Sequence, residues 1–200
     1  MDAAMIQQKK ILRARTNAEA GFSLVEVMVS MAVLTIGLVS LLGVFGLAMA
    51  TTQTSQEDMI AKQLANEAYE SIITARNTTQ IGWDDIQNVG STNCPVTGDA
   101  TCGIFLTGLQ QIYSGGSDGI YGTADDATSA QRQTLHDPGP DGIFGTADDV
   151  YIPLTGYQRS IALSAVNATL RNVTITVQYA TPQTRAQKTY ILSSYISEFQ

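Results

Sequence analysis

Residues 21–26, with the sequence Gly-Phe-Ser-Leu-Val-Glu, separate a basic leader from a long apolar run, and they decide how the chain is interpreted. The 24 residues from Val27 to Ala50 contain no charged side chain, whereas Glu26 places a carboxylate at the edge of that run. A carboxylate at the edge of a segment as long as the hydrocarbon layer is costly to insert into a membrane. The position of Glu26 therefore requires an explanation.

The apolar run is long enough to cross a membrane. At about 1.5 Å per residue, 24 helical residues span roughly 36 Å, against about 30 Å for a bilayer core. A secretory signal peptide has a shorter apolar region, and no A-x-A cleavage site with a clear break follows this one. The leader is basic, which by the positive-inside rule leaves the N-terminus in the cytoplasm. An ordinary single-pass anchor fits these facts equally well. The basic residues are Lys9, Lys10, Arg13 and Arg15.

The order of basic leader, Gly21-Phe22, three further residues, Glu26 and apolar helix resembles the processing site of type IV prepilins. The resemblance implies that a prepilin peptidase cleaves between Gly21 and Phe22, removes the leader 1–21 and N-methylates Phe22. It also implies an assembly role for Glu26, since a buried carboxylate is tolerable when it meets the α-ammonium of a neighbouring subunit.

That resemblance implies a structural subunit of an extracellular type IV pilus-like filament, and not an enzyme. Its partners would be other pilin subunits, the prepilin peptidase and the pilus or secretion assembly machinery. The chain would lie in the bacterial inner membrane before assembly, and in an extracellular filament or the periplasm afterwards. Residues 33–38 further resemble the minor pilins of the pilus-modification branch. A pseudopilin of a type II secretion system shares the processing site and remains the alternative.

The helix is expected to continue beyond the transmembrane and assembly segment 22–50. In residues 51–77 apolar side chains recur every fourth position, with charged residues on other faces, which is typical of an amphipathic helix. Two helices broken near Thr51 are the alternative. The recurring apolar residues are Ile60, Leu64, Ala68 and Ile72.

Residues 158–200 are expected to form an antiparallel β-sheet. The predicted strands are Ser160–Val166, Arg171–Ala180 and Lys188–Ser197, with a turn at 181–184. The central strand alternates between apolar and polar residues, as half-buried strands do. The prediction is an α+β fold of the pilin type, in which the sheet packs on the amphipathic half of the helix. The inward residues of the central strand would be Val173, Ile175, Val177 and Tyr179.

Residues 78–157 would connect helix and sheet, and they contain the only two cysteines, Cys94 and Cys102. Cysteines this close can form a small disulfide loop if the domain is exported to an oxidising compartment. Two free thiols are the alternative. A zinc site would need more ligands, and His136 is the only histidine.

The connecting region also contains an acidic repeat. Residues 118–126 return as residues 141–149, with eight identities in nine at an offset of 23. Carboxylates alternate with glycine, and such hard oxygen ligands without a His or Cys cluster indicate calcium. Neither copy has the EF-hand pattern. The expected Ca²⁺ ligands are Asp118, Asp125, Asp126, Asp137, Asp141, Asp148 and Asp149.

The second copy is expected to be the stronger calcium site. Asp137 and Asp141 bracket the stiff turn 138–140, whereas the first copy has Ser114 at the position of Asp137. The alternative is that both copies are ordinary solvated hairpin turns, with Tyr121 and Phe144 packed into the core.

Composition excludes other classes of function. The net charge is −7, and loss of residues 1–21 leaves 7 basic and 16 acidic residues, a net charge of −9. So acidic a surface repels nucleic acid phosphates, and no nucleic acid binding is predicted. A catalytic nucleophile would need a neighbouring base, and His136 lies beside an acidic loop instead. Residues 115–117 lack the lysine of a phosphate-binding loop.

Overall fold

The computed structural model describes residues 21–91, 102–126, 131–180 and 187–199. The chain divides into two compact units, residues 1–49 and 50–200. In chain order the elements are helix α1 (Leu24–Asn77), a 3-10 turn (Trp83–Asp85), and strands β1 (Gln110–Gln111), β2 (Thr134–Asp137), β3 (Val150–Pro153), β4 (Tyr157–Asn167), β5 (Leu170–Ala180) and β6 (Gln187–Ser197).

Helix α1 is one continuous element of 54 residues, so the alternative of two helices broken near Thr51 is wrong. It begins directly after Ser23, a residue type favoured at helix N-caps, and the Val27 amide donates to the Ser23 carbonyl at 3.2 Å. The helix ends at Asn77, where sequence periodicity predicted its end. Thr79 then adopts a positive φ of 58°, which turns the chain away from the helix axis.

In the unit of residues 1–49, every described residue from 21 to 49 is exposed. The most apolar 18-residue window of α1 has a mean hydropathy of 2.4 and buries nothing. Of the helices in the described part of the chain, α1 is the one long and apolar enough to cross a membrane. These properties fit membrane insertion of this segment.

In the unit of residues 50–200, the amphipathic half of α1 packs against the sheet. The predicted stripe is confirmed for Leu64, Ala68 and Ile72, which are buried, while Ile60 is half-buried. Four alanines contribute to the same face and belong to the buried core that the helix shares with the sheet. The buried residues of α1 are Ala61, Leu64, Ala65, Ala68, Ile72 and Ala75.

The main sheet has four antiparallel strands in the order β1-β4-β5-β6. Strands β4, β5 and β6 confirm the three predicted strands, and each is slightly longer than expected. The predicted turn at 181–184 lies outside the described residues. Alternation in β5 is also confirmed, because Val173, Ile175 and Val177 are fully buried and Tyr179 is 5 % exposed. The predicted α+β fold is therefore observed.

Two arginines share the inward face of this sheet. Arg159 on β4 and Arg171 on β5 are 4 % and 6 % exposed. Arg171 donates to the backbone carbonyls of Trp83 and Ile86, and its guanidinium lies 4.2 Å from the centre of the Trp83 ring. Such contacts compensate for removing the charge from water. They attach the 3-10 turn to the sheet.

The region between helix and sheet contains β-structure that the sequence did not predict. Strand β1 adds an edge to the main sheet by pairing with the start of β4. Strands β2 and β3 form a separate two-stranded sheet. Both sets of strands are short, and they position the two copies of the acidic repeat.

Candidate functional site

The predicted processing segment lies at the start of α1. Gly21, Phe22 and Ser23 precede the helix, and Phe22 is 82 % exposed. Glu26 is exposed in the first helical turn, where a negative charge interacts favourably with the positive end of the helix dipole. The bond between Gly21 and Phe22 thus lies in exposed backbone before the helix, and Glu26 follows in its first turn.

Residues 118–126, the first acidic loop, lie at the end of a backbone-paired stem. The Gln133 amide donates to the Ile112 carbonyl at 3.2 Å, and the Ser114 amide donates to the Gln131 carbonyl at 3.0 Å. Between these contacts the chain reverses through glycines with positive φ. The stem brings the carboxylates of the loop into one small volume.

Three carboxylates converge in the first acidic loop. Oxygens of Asp118, Asp125 and Asp126 all lie within 4.8 Å of one another. Each carboxylate also accepts backbone N–H groups of the loop, among them Ile120 on Asp118 at 2.8 Å and Gly122 on Asp126 at 2.6 Å. These hydrogen bonds hold the carboxylates in fixed orientations, with their oxygens close to one another.

The pKa values of two neighbouring carboxylates in this loop are shifted in opposite directions. The pKa of Asp125 is lowered to about 2, chiefly by the hydroxyl of Thr123, and Ser117 contributes from its hydroxyl and its amide. Burial raises the pKa of Asp126, which is only 7 % exposed. A bound cation would favour the charged form of both groups.

Residues 141–149, the second acidic loop, repeat the internal hydrogen bonds of the first acidic loop at the offset of 23. Ile143 donates to Asp141 at 2.8 Å, Gly145 to Asp149 at 2.7 Å and Thr146 to Asp148 at 2.6 Å. The glycines match as well, since Gly122 and Gly145 have φ of 88° and 89°. Nearly identical sequence therefore gives the same internal hydrogen bonds in the two loops.

The two loops differ in burial. Ile120 is 2 % exposed, and Tyr121 is half-buried against the core. Ile143 and Phe144, at the matching positions, are 61 % and 63 % exposed. The alternative that packed both aromatic residues into the core is therefore wrong for Phe144.

In the second acidic loop, a histidine side chain contacts one of the carboxylates. His136 Nε2 lies 2.5 Å from Asp149 Oδ2, and its ring stacks on Tyr151 with centroids 4.4 Å apart. Asp137 accepts the Gly139 amide at 3.0 Å, within its own turn. Among the described residues, the convergence of three carboxylates is confined to the first acidic loop. The structure thus favours the loop that the sequence ranked second.

Sequence reasoning missed the residues that attach the first acidic loop to the helix. Glu67 of α1 accepts the Tyr121 hydroxyl at 2.7 Å and the Gln133 amide group at 2.6 Å. Arg159 lies 4.5 Å from the centre of the Tyr121 ring and donates to the Leu64 carbonyl. The signal available in the sequence was the two-residue period of β4, which places Arg159 on the same face as Ile161.

The predicted disulfide involves a residue outside the described part of the chain. Cys102 is described, whereas Cys94 lies in the range 92–101 that the structure leaves out. Pairing of Cys94 with Cys102 therefore stays a prediction.

The sequence matches the family described as Prokaryotic N-terminal methylation motif over residues 16–42. Comparisons with curated proteins and with solved structures each found no significant match. The motif supports a type IV pilin-like or pseudopilin subunit in general, which assembles with other such subunits after the action of a prepilin peptidase. It points to a structural subunit rather than an enzyme.

Proposed function

We propose that this chain is a structural subunit of an extracellular type IV pilus-like filament, inserted in the bacterial inner membrane and processed after Gly21. The observation that carries the proposal is the methylation motif at residues 16–42, which leads directly into a charge-free helical segment. An exposed apolar segment of this length needs lipid or other helices around it. Polymerisation supplies those helices when the subunit leaves the membrane.

Glu26 is the assembly contact in this proposal. After cleavage, Phe22 carries the α-ammonium of the mature chain, and Glu26 is its fifth residue. A carboxylate among packed apolar helices is tolerated when an opposite charge pairs with it. Pairing of Glu26 with the α-ammonium of Phe22 in a neighbouring subunit would set the axial register of the filament.

Substitution of Glu26 tests this role. We expect Glu26→Ala to leave cleavage after Gly21 largely intact and to reduce recovery of sheared filaments at least about tenfold, because a loss of about 1.4 kcal/mol gives that factor. N-terminal sequencing and filament yield are the measurements. Ser30→Ala, one turn along α1, is the matched control with normal assembly. Normal filament yield from Glu26→Ala would disprove the pairing.

The finer assignment within this class is a minor pilin of the pilus-modification branch, supported by the resemblance of residues 33–38. A pseudopilin of a type II secretion system is the second candidate, because it uses the same processing site. Electron microscopy with an antibody to the head separates them. Labelled fibres outside the cell support the pilus, and a subunit confined to the periplasm supports the pseudopilus.

Calcium stabilisation of the head is the second part of the proposal. The first acidic loop offers oxygen donors from Asp118, Asp125 and Asp126 within 4.8 Å, and Ca²⁺ prefers oxygen ligands. Three carboxylates this close repel one another, and a divalent cation offsets that repulsion. The second acidic loop would supply a weaker site from Asp137, Asp141, Asp148 and Asp149.

Thermal unfolding with calcium and with chelator tests the site. Residues 50–200 contain every buried core residue of the described chain and suit the measurement. Calcium at about 100 times its Kd should stabilise the fold by about 2.7 kcal/mol. Asp126→Asn should abolish most of the rise in Tm, and Asp149→Asn, its counterpart at the offset of 23, should retain most of it. An unchanged Tm with calcium would contradict the proposal.

A disulfide between Cys94 and Cys102 is a third part of the proposal, because a filament subunit is exported from the cytoplasm. In an oxidising compartment Cys94 and Cys102 would close a short loop. Mass spectrometry of the intact, unreduced chain should find it two mass units lighter than the reduced chain, since a disulfide lacks two hydrogens. Equal masses would exclude the disulfide.

A further inference from the structure

Strand β6 forms one edge of the main sheet, and it lacks the features that usually protect such an edge. Strand β5 lies on one side of β6, and among the described strands none pairs with its other side. β6 has 11 residues, contains no proline, and carries no charge over residues 189–197. Natural edge strands are usually short, charged, bulged or interrupted by proline, because an open edge offers backbone N–H and C=O groups to another strand. The edge of β6 can therefore accept a further strand.

The opposite edge of the same sheet is different. There β1 pairs with the start of β4, and the register of β4 against β5 shifts between Ala165 and Asn167, as at a β-bulge. Such irregularities bend a strand and hinder the addition of another one. Strand β6 pairs with β5 in one unbroken register along its whole length. Regular backbone is thus presented at the β6 edge.

Apolar side chains along β6 are incompletely covered on both faces of the sheet. On the inner face Tyr190 and Leu192 are half-buried, whereas Ile175, the partner of Leu192 on β5, is fully buried. On the outer face Ile191 and Tyr195 are 59 % and 62 % exposed. A strand added at this edge would place further side chains beside these residues, since cross-strand neighbours lie about 5 Å apart.

The sequence of β6 is complementary to itself in one antiparallel register, which is centred on Ser193. Lys188 and Glu198 lie five residues before and after Ser193, and Ile191 and Tyr195 lie two residues before and after it. If two copies of β6 pair about Ser193, Lys188 of each copy lies opposite Glu198 of the other. Ile191 of each copy likewise lies opposite Tyr195 of the other. Opposite charges and aromatic–β-branched pairs are both favourable across strands.

The charged side chains of this register are accessible. Lys188 donates to Asp58 at 3.2 Å, but its side chain is 41 % exposed and an ammonium group has three donors. Glu198 is exposed at the end of β6. Ser193 is also exposed, so the centre of the register is open to a second strand. The complementarity of charge in this register argues for a second copy as the partner of β6.

We propose that two copies of this chain associate through β6, antiparallel about Ser193, so that their main sheets become one continuous sheet. The two-fold axis of such a pair reverses the direction of residues 50–77 of α1, which pack on the sheet, in one copy relative to the other. Subunits of a single pilus-like filament all run the same way, so this contact differs from the packing within the proposed filament. Its test does not require filament assembly.

Cysteine cross-linking of the full-length chain in detergent measures the register. In Ser193→Cys the two cysteines would face each other at a Cα separation of about 4.5–5.5 Å, which a disulfide accommodates. With a mild oxidant we expect a covalent dimer, formed at least about tenfold faster than by the parent chain. Mass spectrometry should identify a peptide joined at position 193. Dimer formation no faster than that of the parent would overturn the proposal.

Thr189→Cys is the matched control, because it is also exposed and lies on the same face of β6. In the proposed register Thr189 lies opposite Ser197 of the other copy. Thr189→Cys alone should therefore form no more dimer than the parent, whereas a mixture of Thr189→Cys and Ser197→Cys chains should form the mixed dimer. Dimers of Thr189→Cys alone at the rate of Ser193→Cys would show indiscriminate edge contact and overturn the register. Absence of the mixed dimer would overturn it as well.

Charge reversal tests the pairing of Lys188 with Glu198. Glu198→Lys, added to Ser193→Cys, places like charges opposite each other at both ends of the paired strands and should slow cross-linking at least about threefold. Glu70→Lys makes the same change of charge at an exposed position of α1 and should leave the rate unchanged. Equal rates from the two charge variants would overturn the proposed register.

Discussion

Glu67 is one of the helix residues that bind the first acidic loop, together with Ser71, which accepts the Tyr121 amide at 3.4 Å. The two carboxylate oxygens of Glu67 accept different donors, the Tyr121 hydroxyl and the Gln133 side-chain amide. Arg159 is buried, and its guanidinium lies 4.5 Å from the centre of the Tyr121 ring. A carboxylate in such a setting depends on its donors, because an unpaired acceptor removed from water is costly.

Removal of the Tyr121 hydroxyl should therefore destabilise the head. We expect Tyr121→Phe to lower the free energy of unfolding by about 1–3 kcal/mol, since Glu67 loses a donor. Urea denaturation of residues 50–200 measures the change. The reciprocal Phe144→Tyr adds a hydroxyl at the exposed matching position and should change stability by less than about 0.5 kcal/mol. Equal effects would contradict the role of Glu67.

At the scale of elements, periodicity predicted the helix and the long strands because each buries one face along many residues. Strands β1 to β3 were not predicted, since they span two to four residues and are held by pairing with distant chain. The repeat correctly predicted two like loops, but not their burial. Ile120 and Ile143 have nearly identical local sequences, and their exposure depends on whether the helix and β4 lie beside them.

The glycines of the two loops provide a matched test of that difference. Gly122 and Gly145 both have positive φ, so alanine is strained by about 1–2 kcal/mol at either position. At Gly122 an added Cβ would lie 2.6 Å from Ile161 Cδ1, whereas at Gly145 it would meet nothing within 4 Å.

We therefore expect Gly122→Ala to destabilise the head by about 1–3 kcal/mol more than Gly145→Ala, because only the first substitution overpacks the core. Chemical denaturation of the two variants of residues 50–200 measures the difference. Equal losses would show that the first acidic loop is not packed against β4.

At the scale of the whole molecule, all buried apolar residues of the described chain lie between Ala61 and Ile196. Several tyrosines around this core have raised pKa values. Burial raises the pKa of Tyr157 to about 12, with Glu57 and Asp58 adding to the effect. Burial also raises the pKa values of Tyr121 and Tyr179, and both hydroxyls donate to carboxylates. Neutral tyrosine is thus the form that the folded head retains.

Stability should consequently fall in alkali. An unfolded tyrosine titrates near about pH 10, so between about pH 10 and 12 the unfolded chain loses protons that the folded chain keeps. Fewer protons in the unfolded state mean that the free energy of unfolding decreases as pH rises. Tyr157→Phe should make this decrease shallower, measured by denaturation across that range. Tyr195→Phe, at a residue 62 % exposed, is the control. Parallel curves for Tyr157→Phe and the parent would contradict the assignment.

The internal hydrogen bonds of the acidic loops have a consequence for how such a chain evolves. In each loop, amides and a threonine hydroxyl of the loop donate to its carboxylates, and the second acidic loop keeps this arrangement without being packed in the core. A segment whose conformation is held by its own hydrogen bonds can be duplicated into a surface turn without changes in the surrounding protein. New contacts can then arise by changing one aromatic residue, as Tyr121 and Phe144 differ, while the inherited scaffold stays unchanged.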